Sequence, residues 1–198
     1  MNKFNNTQDK TKRDLIKSGR KLFLKKGFKN TSVSEITERS EIATGTFYNY
    51  FSSKEELFLM IFFEENNRLK KEILKNVNLE EEPEKVVKNL IYQFFVGMQK
   101  NIILREFFNQ NTFSKIEKKT EFNEEKYGEI AYQLFIPIIE KYQNDNIIVK
   151  KDPKYVIAFF DAVLYVYLHK DDIGARFFPM LMDDLIKYIV QGLKKEPN

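Results

Sequence analysis

"SEIATGTFYNYFSSKEEL", residues 40–57, crowds Gly45, several Thr, Tyr and Asn side chains and four aromatics into a short span, then stops on Ser-Ser-Lys-Glu-Glu. About two helical turns fit between Gly45 and Ser52, too few to be stable alone in water. Such a helix persists only if its apolar residues are clamped to neighbouring elements. Ile42, Phe47 and Phe51 have the spacing for that clamp. Thr44, Gly45, Thr46, Tyr48 and Asn49 are then left to face outward.

The flanking sequence supplies what the helix is clamped to. Leu15, Ile16, Gly19, Leu22 and Phe23 fall at i, i+1, i+4, i+7 and i+8, an amphipathic helical stripe. Lys25 and Lys26 suit the negative end of that helix, and Gly27 ends it. Ser32-x-x-Glu35 is a capping box opening a second helix that stops near Ser40, with Val33 and Ile36 facing inward. The short third helix is predicted over Thr44 to Tyr50. Ser53-x-x-Glu56 is a second box, starting a long fourth helix that runs to about Val77.

Three short helices with a tight turn between the second and third form a helix-turn-helix arrangement. In that geometry the third helix enters a major groove while the second crosses the DNA backbone. Thr44, Gly45, Thr46, Tyr48 and Asn49 then become candidate base contacts. Gly45 lets backbone approach closely, Asn49 can pair bidentately with adenine, and Thr methyls can touch thymine methyls. Thr31, Ser32, Tyr50 and Lys54 are candidate phosphate contacts, beside the unpaired N–H groups that start the fourth helix.

Charge agrees with this division. Residues 1–55 carry 12 Lys or Arg against 6 Asp or Glu, a balance of +6, within a chain whose net charge is +4. A basic N-terminal third on a slightly acidic remainder points to one polyanion-binding end.

Residues from about Asp9 to Phe62 resemble the N-terminal DNA-binding domain of the TetR family of transcriptional regulators. The matching string runs Gly27-Phe28, Thr31-Ser32-Val33-x-x-Ile36, then Gly45-Thr46-Phe47-Tyr48-x-Tyr50-Phe51-x-Ser53-Lys54-Glu55-x-Leu57. The family usually has Gly where this chain has Glu41 and a Ser cap where it has Ala43, with Thr44 as the alternative cap. The resemblance implies a DNA-binding domain over 1–53 and a helical effector-binding and dimerisation domain over 54–198. It implies a homodimer through the last two helices, a double-stranded pseudo-palindromic operator and a small-molecule effector lodged among the middle helices. Phe62, Asn66, Phe95, Phe108, Tyr127 and Phe135 are the candidate pocket residues, suited to a lipophilic or aromatic ligand. The expected function is a repressor released by such a ligand. The alternative is a TetR-like DNA-binding protein whose C-terminal domain binds a protein partner and no small molecule.

The remainder of the 198 residues also reads as helix, so the expected fold class is all-α. Pro83 opens a fifth helix carrying Val86, Val87, Leu90, Ile91, Phe94, Phe95 and Met98. A short helix is predicted around Leu104 to Phe113, and another from about Phe122 to Tyr142, kinked by Pro137. Asn144 to Asp152 reads as a linker. Pro153 opens a helix that His169 to Arg176 interrupts, and Phe178 to Lys195 forms the last one. The chain has no Cys and one His, His169, beside Asp171 and Asp172. That composition excludes thiolate chemistry and Cys-ligated metal, and no catalytic triad or metal-ligand spacing is present. The expectation is no enzyme, no metal and no cofactor. The polar start, Met1 to Lys17, lacks the apolar segment of a secretory signal. The longest apolar runs, such as Leu57 to Phe63, fall far short of a membrane span, so a cytoplasmic protein away from membranes is expected.

Overall fold

The computed structural model describes residues 2–120, 134–178 and 180–195. Among them the chain is all-α: α1 Asn2–Lys26, α2 Val33–Arg39, α3 Thr44–Phe47, α4 Lys54–Asn76, α5 Pro83–Lys100, α6 Ile102–Phe107, α7 Gln110–Lys119, α8 Ile136–Asn144, α9 Pro153–Leu168, α10 Lys170–Ile173 and α11 Met180–Leu193, with a 3-10 turn at Ala175–Phe177. The chain divides into two compact units, residues 1–69 with 96–124, and residues 70–95 with 125–198. No helix among the described residues is long and apolar enough to cross a membrane.

The first unit is built on the α1 stripe. Leu15 and Phe23 are fully buried, together with Ile36, Phe47, Leu57, Phe58 and Ile61 from α2, α3 and α4. The Phe23 and Phe58 rings meet edge-on at 5.1 Å, and Phe28 packs on Phe58 at 4.9 Å. Each buried side chain of this size contributes about 1.5–3 kcal/mol, which holds α2 and α3 in place although neither is stable alone. Gly27 ends α1 at φ +80 with its N–H donated to the Phe23 carbonyl.

The Ser32–Glu35 capping box forms as read. At the other end of α2, Glu41 donates its N–H to the Glu38 carbonyl at 3.1 Å and Ile42 donates to Thr37 at 3.0 Å, the two bonds of a Schellman motif. Glu41 takes the left-handed position of that motif, at φ 57. A side chain there is strained by roughly 1–2 kcal/mol. Glu41→Gly is therefore expected to stabilise the protein by about 1 kcal/mol after the added freedom of the unfolded glycine is set against the relief. A higher urea midpoint at unchanged slope would show it; a lower midpoint would mean that the Glu41 side chain makes a compensating contact.

Several boundaries differ from those predicted. The third helix stops at Phe47, because Asn49 and Tyr50 donate to Thr46 and Phe47 in tighter i to i+3 turns. The box at α4 is shifted by a residue: Ser53 Oγ accepts from Glu56 N–H, but the Glu56 carboxylate accepts from Ser52. The helix expected at 104–113 is two helices. Asn101, whose Oδ1 accepts from Ile103 and Leu104 N–H, caps the first, which ends at Phe107. Pro137 stands in the first turn of α8 and opens it rather than kinking it. The predicted segment from Phe122 to Gln133 lies outside the described residues.

In the second unit, α8, α9 and the end of α11 enclose Ile139, Tyr142, Ile148, Val156, Ile157 and Leu193. A second cluster joins Val163 of α9 to Met182, Ile186 and Val190 of α11, with Val87, Ile91 and Phe95 of α5 against it.

Candidate nucleic-acid interface

The recognition helix is pinned by its aromatics. Phe47 is fully buried and Phe51 nearly so, with their rings 5.6 Å apart, while Ile42 is half-buried. Opposite this anchor, Thr44, Gly45, Tyr48 and Asn49 are exposed and Thr46 is half-buried. Tyr48 is 57% exposed, its ring edge-on to Phe47 at 5.3 Å. A Cβ added at Gly45 would meet nothing within 4 Å. The fold has no internal need for glycine there, where alanine would suit the helix better by about 0.5–1 kcal/mol. Its bareness bears on what approaches from outside. Ala43 occupies the cap position without a side-chain bond, so Thr44 stays inside the helix, its hydroxyl 3.1 Å from that of Thr37 on α2.

The phosphate candidates divide. Ser32 is exposed at the start of α2 and Tyr50 is half-buried. The Ser32 N–H and hydroxyl both donate to the Glu35 carboxylate, which also pairs with Lys26. Lys26 and the Ser32 donors hold the Glu35 carboxyl down at about 2. Its capping contribution is thus complete above the ordinary carboxyl range near 4.5 and is lost as pH falls toward 2.

Thr31 and Lys54 also have partners inside the fold. Thr31 is 2% exposed and donates its hydroxyl to the Gly27 carbonyl at 2.7 Å, so its side chain is packing in the α1–α2 loop and is withdrawn from phosphate. Lys54 is half-buried. Its Nζ donates to the carbonyls of Phe28 at 2.9 Å and Thr31 at 2.6 Å, and lies 4.3 Å from the centre of the Phe28 ring. Burial pushes the Lys54 pKa down, against the pull of Glu55. Lys54 straps the loop before α2, and its Ala variant should lose about 2–3 kcal/mol of stability, two charged hydrogen bonds discounted for partial solvent access. Chemical denaturation measures this; an unchanged midpoint with weakened DNA binding would restore a purely phosphate-contacting Lys54.

The structure adds two residues that sequence reading missed. Glu106 of α6 accepts the Phe28 N–H at 2.5 Å, gripping the same loop from the other side. Glu65 of α4 is 4% exposed, pairs by charge with Arg20 Nε of α1 at 3.0 Å and Arg68 at 3.1 Å, and accepts the Asn101 amide at 2.8 Å; Arg20 also pairs with Glu64. Glu106 and Phe28 stand 78 positions apart in the chain, so no local pattern could announce the contact.

The pocket candidates divide between the two units. Phe62 stacks on Phe107 at 3.6 Å and meets Phe108 edge-on at 5.8 Å within the first unit. One turn along α4, Asn66 is buried, and its side-chain oxygen has no hydrogen-bond partner among the described residues. Phe95 and Phe135 belong to the second unit: Phe95 stacks on Tyr167 at 3.8 Å, and Phe135 packs against the α8–α9 cluster. Tyr127 lies outside the described residues. Lys70 lies 5.5 Å over the Phe135 ring, its pKa pushed down to about 8 by burial. His169 stacks on Tyr165, with a ring nitrogen 2.9 Å from the Tyr165 carbonyl. Among the described residues no group of His, Asp and Glu is arranged to hold a metal.

Residues 15–61 match the family described as bacterial regulatory proteins, tetR family. The chain is 40% identical over 55 residues to the HTH-type transcriptional repressor NemR of Escherichia coli, 28% of this chain and 27% of that one. The curated relatives it matches are spanned over only about a sixth to a quarter of their length. Among solved structures, RolR with its ligand resorcinol superposes with a TM-score of 0.67 at 18% identity, covering 97% of this chain and 91% of that one. The FadR regulator of Bacillus subtilis, in complex with stearoyl-CoA, gives a TM-score of 0.57 at 14% identity, covering 91% and 98%. Residues 15–61 thus carry the DNA-binding sequence of that family, and the fold resembles that of such regulators over nine tenths of the chain.

Proposed function

We propose that the chain is a homodimeric repressor that reads DNA with residues 1–53 and carries its effector and dimer surfaces in residues 54–198. The observation that supports it most is the division of α3, where buried Phe47 is the anchor and exposed Thr44, Gly45, Tyr48 and Asn49 form a polar outward face. Ser32 and Tyr50 flank it as phosphate contacts. Retarded migration of random-sequence DNA at low salt, abolished as salt rises, tests the binding itself; no retention at any salt would overturn it.

The dimer reading rests on α9 and α11. Each turns an apolar stripe into the core, yet Tyr155 and Tyr165 of α9 and Met180 and Tyr188 of α11 are all more than half exposed. Aromatic and methionine side chains on the outer faces of this helix pair suit a second copy of the chain, since they are enriched at interface centres. Light scattering at micromolar concentration should give twice the chain mass of 23.7 kDa, and Tyr165→Lys should return it to the monomer. A monomeric unsubstituted protein would overturn the dimer.

For the effector, Phe62, Phe108 and Asn66 form the favoured site, with an apolar wall and one buried acceptor. Resorcinol on RolR and stearoyl-CoA on FadR support a ligand with an aromatic or lipophilic body. Release of DNA by such compounds, abolished in Phe108→Ala while DNA binding persists, is the expected behaviour.

A further inference from the structure

We infer that α7, outside the helix-turn-helix, carries an auxiliary phosphate-contact patch made by Lys115 and Lys119, continuous with the phosphate-facing start of α2. The inference rests on the DNA-binding reading above and extends the DNA footprint beyond residues 1–53.

Lys115 and Lys119 stand at i and i+4, so they share one face of α7, and both are exposed. Lys119 reaches Glu55 in the first turn of α4 at 3.3 Å while its side chain stays 63% exposed. That contact seats the end of α7 beside Lys54, the residue next in sequence. Lys54 in turn donates to the carbonyl of Thr31, which immediately precedes Ser32, the cap of α2. Lys54 therefore links the loop before α2, the helix that crosses the DNA backbone in this motif, to the end of α7. Burial chiefly lowers the Lys54 pKa and Glu55 pulls against it, with Lys115 and Lys119 adding a weaker repulsion.

Glu55 is buried and pairs with Lys119, whose side chain stays 63% exposed, and Glu106 is engaged by the Phe28 N–H. Exposed Lys115 and Lys119, with half-buried Lys54 beside them, gain from a polyanion, whose phosphates exchange condensed counterions for them. The patch carries no sequence information, because it lies on the backbone side.

The test is the salt dependence of DNA binding by the full-length protein. Lys115→Ala with Lys119→Ala should weaken binding to selected and random DNA alike. It should reduce the slope of log affinity against log salt by about 0.9 for each phosphate that is no longer neutralised. Lys115→Arg with Lys119→Arg should keep the slope, and Lys150→Ala, which removes one positive charge elsewhere, should leave it unchanged. A thermal melt of each variant shows whether the fold is intact. An unchanged slope in the double Ala variant, or an equal drop in Lys150→Ala, overturns the patch while the DNA-binding reading stands. Failure of the unsubstituted protein to bind DNA overturns both.

Discussion

Phe47→Ala is expected to cost about 3–5 kcal/mol and to abolish sequence preference, whereas Asn49→Ala should leave stability nearly unchanged. The two side chains are neighbours but do opposite things. Phe47 is fully buried against Phe51 and carries the packing of a four-residue helix, while Asn49 is exposed just beyond it. Small domains have only about 5–15 kcal/mol of stability in total, so removal of the Phe47 ring should leave α3 disordered at ambient temperature. Asn49→Ala removes one bidentate base contact, worth about 1–3 kcal/mol of discrimination, and should relax preference at one symmetric pair of operator positions. Non-specific affinity should survive it. Urea denaturation and binding titrations against matched and mismatched DNA separate the two effects. An identical loss in both variants, or full preference in Asn49→Ala, would move base reading to Thr44, Gly45, Thr46 or Tyr48.

Glu65→Ala should be the next most damaging change, at about 3 kcal/mol. Breaking a buried ion pair by removing one partner typically costs about 3–5 kcal/mol, and partial exposure of the Arg20 side chain, 24%, argues for the lower end. The variant removes the carboxylate charge beside buried Arg20 Nε and frees the amide of Asn101, the cap of α6, from Glu65. Arg20→Ala combined with Glu65→Ala should be less destabilised than the sum of the single variants, by at least about 1 kcal/mol in a double-mutant cycle. Strict additivity would mean that the two side chains do not support one another.

The parts of this fold that sequence shows are those written in local code. The stripe from Leu15 to Phe23, the Ser32–Glu35 box, Gly27 after α1 and the anchors Phe47 and Phe51 all rest on spacings of about four residues or fewer, and all stand where the spacing puts them. Glu41 shows the limit in one direction: the turn forms although the residue is unsuited to its backbone, because the packing of Ile36 and Phe47 on either side decides it. Lys54 and Thr31 show it in another. Their residue types suit phosphate, but the carbonyls of a loop more than twenty residues away engage Lys54, and Gly27 engages Thr31. Glu65 and Glu106 give no local signal at all, since a charged residue on a helix reads as a solvated face until the partner helix is known. The split at Phe108 is hidden because the apolar spacing of Leu104, Phe107, Phe108 and Phe113 runs on across it as if through one helix.

The most direct measurement is selection of bound DNA from a random pool by the full-length protein. A dimer presenting two α3 helices should enrich an inverted repeat with half-site centres about 34–36 Å apart, roughly 10–10.5 base pairs, or a multiple of it. The enrichment should vanish for Phe47→Ala. A pool that stays random, or one that converges on a single half-site without two-fold symmetry, would contradict a dimeric regulator reading DNA through Thr44 to Asn49.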